Sequence, residues 1–317
     1  MATTNFGTGL AREDVGSAIV PDEISTEIIQ LIPEASVVGT RAKRVPMSKK
    51  KMKQPVLATL PDAYWVSEGG LKSTSKTGWE DVSITAEELA VIVPIPDSLV
   101  DDADVPLWEQ IKPLIGEAFG KKIDQAALFG VDKPASWGQD VFAGATAAGN
   151  NIAEGTGVDF AQDVALLGEK VSQAGFSVDG FASQPGLNWK LTGLRDSTGR
   201  PVYTPAVSET SPSNLYGYPL NEVKNGAWDT SKASLLAADW TKFVYAVRQD
   251  LTYQVFDQGV ISDSTGTVIY NLMQQDAKAL RVVARIGFAV ANPVTRVKAK
   301  GSQYPAGFIT PAAAPAA

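Results

Sequence analysis

Two stretches of opposite charge decide the fold of this chain: RAKRVPMSKKKMK at residues 41–53 and EDVSITAEELAVIVPIPDSLVDDAD at residues 80–104. Every charge in the first stretch is positive, and every charge in the second is negative. Val82, Ile84 and residues 91–93 are of the β-branched type expected in strands. The pattern predicts a long two-stranded excursion, basic on the outgoing strand and acidic on the returning one. Because an isolated hairpin is marginally stable in water, this one needs a surface to lie on.

The segment between these stretches contains an aromatic turn, AYWVSEGG at residues 63–70, followed by a polar run at 72–78. Glu68 could serve as a general acid, but no partner carboxylate is evident, and a turn or interface contact is the favoured interpretation. Lys49–Lys53 could be a localisation signal or a nucleic-acid patch. The favoured interpretation is a strand that is solvated or faces acidic residues, in the same chain or in a neighbour.

A long helix is predicted at about residues 105–129, where apolar residues follow helical spacing. Asp104 is a suitable N-cap, whereas Pro113 can kink the helix or delay its start. The densest group of carboxylates precedes this helix and could bind calcium or magnesium, although acidic residues at a helix N-terminus are the favoured interpretation. The group consists of Asp101, Asp102 and Asp104.

The other predicted elements are shorter. Residues 132–157 are rich in Gly and Ala and predict a loop or linker. Asp159 predicts the N-cap of a helix that ends near Gly175, and a short helix is predicted at 186–194. Residues 267–280 fit either a strand or a helix. Strands are predicted at 234–238, 243–248, 253–256 and 282–290, and an extended Pro/Ala-rich tail at 304–317.

Composition argues against catalysis. The 317 residues include no cysteine and no histidine, so thiolate nucleophiles, zinc–thiolate sites and the usual general base near neutral pH are lacking. The formal net charge of −7 argues against broad nucleic-acid binding, which requires clustered Lys and Arg. Residues 1–10 lack the apolar stretch of an export signal, and no apolar run approaches the length of a membrane span. We therefore expect no catalytic site, no cofactor and no metal.

Several short motifs follow one another along the chain. They are AYWVSEGG at 63–70, LAVIVPIPDSLVDD at 89–102, KIDQAALFG at 122–130, DSTGRPVY at 196–203, LYGYPL at 215–220 and RVVARIGFAVANP at 281–293. Their order and spacing resemble those of the major capsid proteins of tailed double-stranded DNA bacteriophages, which have the Hong Kong 97-type fold. The resemblance covers about residues 21–298.

The resemblance implies an α+β fold with an N-terminal arm, an extended β-hairpin loop, a peripheral domain with a long spine helix, and an axial domain. It also implies that the extended loop lies across an adjacent subunit, which would provide the surface that the hairpin needs. The implied boundaries are 1–32 for the arm with its short helix, 33–45, 83–135 and 281–300 for the peripheral domain, 46–82 for the extended loop, 136–280 for the axial domain and 301–317 for the tail.

The implied function is self-assembly, as hexamers and pentamers, into an icosahedral shell around double-stranded DNA. The protein would be a virion component assembled in the host cytoplasm, with a separate scaffolding protein, a portal and a cementing protein as partners, and with no membrane. Some members form a Lys–Asn cross-link promoted by a Glu, but no Glu can be placed beside the loop lysines and Asn292. The residues expected at subunit interfaces are Arg41, Lys43, Arg44, Lys49, Lys50, Lys51, Lys53, Tyr64, Trp65, Glu68, Lys72, Lys76, Glu80, Asp81, Glu87 and Glu88.

Two alternatives stay open at this point. An encapsulin-like compartment shares the implied fold but encloses cargo enzymes, and a cargo-peptide groove built by the N-terminal region would distinguish it. A carbohydrate-acting enzyme that uses Asp and Glu without His belongs to another class. The scattered carboxylates of the sequence give this second alternative little support.

Overall fold

The computed structural model describes residues 36–102, 107–195, 203, 214–263 and 265–312. The helices of this part are α1 (Val37–Arg41), α2 (Asp97–Asp102), α3 (Leu107–Phe129), α4 (Val141–Ala147), α5 (Phe160–Gln173) and α6 (Leu187–Thr192). The strands are β1 (Lys43–Pro46), β2 (Lys51–Thr59), β3 (Gly78–Thr85), β4 (Glu87–Pro96), β5 (Ile152–Ala153), β6 (Gly180–Ser183), β7 (Asn214–Leu215), β8 (Tyr218–Glu222), β9 (Leu235–Ala238), β10 (Phe243–Phe256), β11 (Val260–Ser262), β12 (Val268–Asn271), β13 (Ala277–Val290) and β14 (Ala306–Thr310). The predicted arm, the Asp104 cap and most of the turn at 196–203 lie outside the described residues.

A hairpin forms as predicted, but it takes only residues 51–53 and 80–85 of the two charged stretches. Lys43 and Arg44 pair with β10 instead, and Glu87 and Glu88 pair with β13. β2 and β3 pair antiparallel, with Lys51 opposite Thr85 at the base and Thr59 opposite Gly78 at the outer end. After β3 the chain continues through Ala86 into β4, which pairs antiparallel with β13. The returning strand therefore leads from the hairpin directly into the body of the molecule.

The first sheet has four strands in the order β1-β10-β13-β4, and α3 packs on one face. α3 continues through Pro113, which lies inside the helix. Three apolar residues at successive turns, Ile115, Phe119 and Ile123, are buried against the side chains of Leu280, Val282, Ala284 and Ile286 on β13. The helical spacing of α3 and the alternation of β13 thus meet in one apolar layer.

The predicted boundary of the axial domain at residue 280 is wrong for β10. This strand pairs with β13 from Phe243 to Phe256, so it belongs to the first sheet. The sequence suggested two short strands because the polar residues 248–250 interrupt the apolar pattern. They lie at register shifts between Val247 and Thr252, where an irregular strand can hold polar residues in solvent without ending.

The second sheet has six strands in the order β5-β14-β9-β6-β8-β7. α5 covers it with the apolar face predicted from the sequence, and Asp159 caps the helix by accepting the backbone N–H of Gln162 at 2.8 Å. The two sheets are not separate bodies. One cluster of buried side chains joins them, and it includes Leu128, Phe129, Trp240, Phe243, Phe288 and Phe308.

The predicted C-terminal tail is also wrong in part. β14 is an interior strand of the second sheet, between β5 and β9, and Phe308 and Ile309 are fully buried. The Pro/Ala-rich sequence around this strand concealed its short apolar core, AGFIT.

The Gly/Ala-rich segment predicted as a loop contains α4. Asp140 caps this helix by accepting the backbone N–H of Ala143 at 3.0 Å, and Val141 and Ala145 are fully buried. Small residues are required here because the ring of Tyr304 packs directly on Gly144, where any Cβ would overlap it. Residues 267–280, left open between helix and strand, contain β12 and the start of β13.

Candidate functional site

The outer half of the β2–β3 hairpin is fixed to its own chain by the segment that follows β13. The backbone N–H of Val294 donates to the carbonyl of Leu57 at 2.9 Å. Arg296 donates to the carbonyl of Pro61 at 2.6 Å, and Lys300 forms an ion pair with Glu80. These contacts support the hairpin out to about residue 62.

The hairpin tip, residues 63–77, makes no such contact with the part of the chain that the structure describes. Every residue from 61 to 77 is exposed, and the side chains of Trp65 and Leu71 are about as accessible as in an extended peptide, at 104% and 96%. Ser75 accepts the backbone N–H of Asp62 at 2.8 Å, which closes the two ends of the tip. Five predicted interface residues lie together in this tip: Tyr64, Trp65, Glu68, Lys72 and Lys76. Exposed aromatic and aliphatic side chains at the end of a projection are typical of a surface that another molecule covers.

The basic strand finds acidic partners within its own chain. Lys50 lies 3.6 Å from Glu87, and Lys53 lies 3.2 Å from Asp81. The charge pattern left open whether the acidic partners lie in the same chain or in a neighbour. For these two lysines, the structure shows partners in the same chain. Three other predicted interface residues are exposed and have no ion pair among the described residues: Lys43, Lys49 and Lys51.

The two arginines of the first charged stretch also contact their own chain. Arg41 is half-buried and donates to the carbonyl of Asp179 at 3.1 Å, with its guanidinium over Gly180 of β6. Arg41 therefore joins α1 to the second sheet of its own chain, and its place at a subunit interface stays a prediction. Arg44 forms an exposed ion pair with Asp250 at 2.6 Å.

The acidic strand is paired along most of its length. Ser136 donates to Glu87 at 2.6 Å, and this hydrogen bond, helped by Lys50, lowers the pKa of the Glu87 carboxyl below its ordinary value. Glu88 accepts from Arg285 at 2.8 Å. Exposed pairs of this kind contribute at most about 1 kcal/mol each. They orient the base of the hairpin more than they stabilise the fold.

Sequence reasoning missed the junction at Asp124 of α3. This carboxylate is fully buried and accepts from the Ser36 hydroxyl at 2.6 Å and from the backbone N–H groups of Val37 and Val38 at 3.0 Å. It also accepts from the Asn225 amide at 2.9 Å. Burial raises the pKa of Asp124. The only sequence signal was an acidic residue between Ile123 and the apolar end of the helix.

The described residues contain no cluster of three or more Asp, Glu, His or Cys side chains that could hold a metal ion. The alternative metal site at Asp101, Asp102 and Asp104 stays a sequence-level interpretation, because the described side chains do not include theirs. No helix in the described ranges is both long and apolar enough to cross a membrane.

Comparison with known proteins identifies the family. A model of the phage capsid family matches residues 16–300. The chain belongs to the phage capsid family. It is similar to the major capsid protein of Staphylococcus phage 80alpha, with 26% identity over 279 residues that cover 86% of this chain and 81% of that protein.

Solved structures agree with this assignment of the capsid-family chain. A chain from Microbacterium phage Oxtober96 is 33% identical with a TM-score of 0.84, and the match covers 95% of this chain and 99% of that one. A chain from Mycobacterium phage Cain is 34% identical with a TM-score of 0.83, and the match covers 96% and 98%. The α+β architecture is thus the Hong Kong 97-type capsid fold, and the family is one of structural proteins rather than enzymes.

Proposed function

We propose that this chain assembles as hexamers and pentamers into an icosahedral shell that encloses phage double-stranded DNA. The observation that carries the proposal is the hairpin tip, which projects beyond the last contact with the described body of its own chain and exposes Trp65 and Leu71. Covering such side chains is favourable by about 25 cal/mol per Å² of apolar surface. We infer that a second molecule covers them.

In this shell the hairpin tip lies across an adjacent subunit, and the N-terminal arm, residues 1–32, contacts a neighbour. The first sheet with α3 forms the periphery of each capsomer, and the second sheet faces its centre. Each subunit would bury several modest interfaces, whose effects multiply in a closed lattice. The net charge of −7 suits the role, since a strongly basic inner wall would hinder the entry and exit of DNA.

The proposal extends to the setting of assembly. Subunits would assemble in the cytoplasm of the bacterial host and remain in the virion. A scaffolding protein, a portal and a cementing protein are the expected partners. The DNA would be enclosed without sequence-specific contacts.

The test is assembly of the purified protein with and without its tip. Asp62 and Ser75 are in contact, so two glycines can replace residues 63–74 without opening the hairpin. We expect the complete chain to form closed particles visible by electron microscopy, and the variant to sediment as folded, unassembled subunits with unchanged circular dichroism. Normal particles from the tip-deleted chain would contradict the proposal. Nuclease-protected DNA in particles from infected cells would separate a DNA shell from a cargo compartment.

A further inference from the structure

A cavity of about 220 Å³ opens beside the base of the hairpin, between the start of β4, α3 and the turn that follows α3. Its floor is apolar and buried, formed by Ile123, Ala126 and Ile286. Trp137 forms one wall, and its indole N–H donates to the carbonyl of Thr85 at 3.2 Å, which fixes the ring in place. Nothing in the described part of the chain fills this cavity. Its apolar floor and its size suit one large apolar side chain.

The rim of the cavity is charged, with three acidic residues and one lysine: Glu87, Glu88, Asp132 and Lys122. These charges have partners in their own chain, since Lys122 pairs with Asp132, Glu88 with Arg285 and Glu87 with Lys50. The hairpin tip also surrounds its exposed apolar residues with charged ones, Glu68, Lys72 and Lys76. An apolar centre within a polar rim is the usual anatomy of a specific protein interface. The tip and the cavity therefore match in their apolar centres and in size.

The tip cannot reach this cavity in its own chain. Trp137 contacts Thr85, at the base of the hairpin, and Thr85 is paired with Lys51. From Lys51 the strand runs outward to Thr59, which at about 3.3 Å per residue places the tip more than about 26 Å away. The two surfaces lie at opposite ends of the β2–β3 hairpin, so we infer that contact between them requires two copies.

We propose that Trp65 of one copy inserts into the cavity between β4, α3 and Trp137 of the adjacent copy. This inference rests on the proposed function and names the surface that receives the tip. Because the tip and the cavity are different surfaces of one chain, the contact is head-to-tail, and such a contact generates a closed ring when its rotation closes. Trp65 is the anchor, since a tryptophan buried in a preformed pocket commonly dominates the energy of an interface.

The cysteine-free sequence permits a direct test. Ser67→Cys, at an exposed tip position that leaves Trp65 in place, and Lys122→Cys are made in separate chains, mixed, assembled and treated with a short bis-maleimide reagent. We expect a Ser67→Cys–Lys122→Cys heterodimer, which joins the tip of one copy to the rim of another. Glu169→Cys on α5, which lies in the other sheet's layer, is the matched control and should not react with Ser67→Cys. Particles that lack the 67–122 product, or that give the 67–169 product equally, overturn the inference. Failure of the unmodified chain to form particles contradicts the proposed function instead.

A second measurement uses the concentration at which particles form. Trp65→Ala, at a fully exposed position, should leave the subunit folded and raise this concentration by at least about tenfold, whereas Trp65→Phe should have a smaller effect. Ala126→Phe, which fills the cavity, should also impair assembly, and its effect should not add to that of Trp65→Ala. Fully additive effects of the two substitutions would contradict the inference. If Ala126→Phe fails to fold, unchanged assembly of Trp65→Ala would contradict it by itself.

Discussion

Asp124 shows how much one buried carboxylate can organise. Its two oxygens accept four hydrogen bonds, from Ser36, Val37, Val38 and Asn225, which join α1, α3 and the segment before β9. Burial disfavours the ionised form of Asp124, as its raised pKa indicates. The contribution of this carboxylate is therefore that its two oxygens accept hydrogen bonds from four donors.

Replacement of Asp124 by Asn should therefore destabilise the subunit by about 2 kcal/mol, because an amide leaves two of the four donors facing an NH₂ group. Urea unfolding of the unassembled subunit measures this loss. Glu117→Gln, on the same helix but only partly buried, is the matched control and should change stability little. Equal or higher stability of Asp124→Asn would mean that the desolvation cost exceeds the value of the hydrogen bonds.

The lowered pKa of Glu87 predicts that this residue stabilises the folded subunit more at neutral pH than at acidic pH. Its pKa is lowered, first by the hydrogen bond from Ser136 and then by Lys50, so the folded state favours the ionised form. This contribution is fully present above the ordinary glutamate pKa of about 4.3 and is lost as the pH falls through the lowered folded-state value. We expect Glu87→Gln to cost less than about 1 kcal/mol at pH 7, and progressively less as the pH falls below the ordinary glutamate pKa. A difference from the natural chain that is independent of pH would rule out this linkage.

At the level of elements, α3 contains two glycines one turn apart with opposite roles. A Cβ on Gly116 would meet nothing within 4 Å, whereas a Cβ on Gly120 would lie 3.0 Å from the backbone nitrogen of Ser36. Ser36 cannot easily move, because Asp124 holds it. Gly116→Ala should stabilise the subunit by about 0.5–1 kcal/mol, and Gly120→Ala should destabilise it. The thermal unfolding temperatures of the two variants check this prediction. Stabilisation by both substitutions would show that Ser36 can move to make room for a Cβ on residue 120.

The sequence predicted an element correctly where the apolar pattern and the capping residue agree. Prediction failed where the element forms only through contacts with residues distant in sequence. Asp159 and the apolar face behind it defined α5 almost to the residue. β14 could not be predicted, because five residues in a Pro/Ala-rich context become a strand only by pairing with β5 and β9. The small residues of α4 likewise make sense only against Tyr304. Asp124 and the cavity beside Trp137 were out of reach for the same reason, since each gathers residues distant in sequence.

The interior position of β14 predicts a large effect at Phe308. This side chain is fully buried and packs against Phe129 and Phe142, with ring centroids 6.1 and 5.2 Å away. Phe308→Ala should lower the free energy of unfolding by about 3–5 kcal/mol, and most subunits should then stay unassembled. Thr310→Ala, at the partly exposed end of the same strand, is the control for a general effect of mutating the C-terminal region. A small loss at Phe308, measured by urea unfolding, would contradict the placement of this strand in the core.

For the whole molecule, charge segregation predicted the hairpin but not the partners of its charges. The register of the two strands explains the difference. Lys53 lies directly opposite the uncharged Ser83, but its side chain reaches the diagonal neighbour Asp81 and forms an ion pair with it. The basic residues of the first charged stretch therefore have different roles. Lys50 and Lys53 form ion pairs within the subunit, and Lys51 helps to lower the pKa of Glu87. Lys43 and Lys49 are exposed and have no ion pair among the described residues.

This division turns the electrostatic hypothesis into a matched comparison. Reversal of Lys43 and Lys49 to Glu should impair assembly while the subunit stays folded, and added salt should weaken the difference from the natural chain because exposed charges are screened. Reversal of Lys50 and Lys53 to Glu has the same net charge but repels Glu87 and Asp81, so it should loosen the hairpin of the isolated subunit, as hydrogen exchange of β2 would detect. If both variants assemble normally by electron microscopy, the basic strand has no electrostatic role between subunits. If both fail equally without any change in β2, net charge rather than position controls assembly.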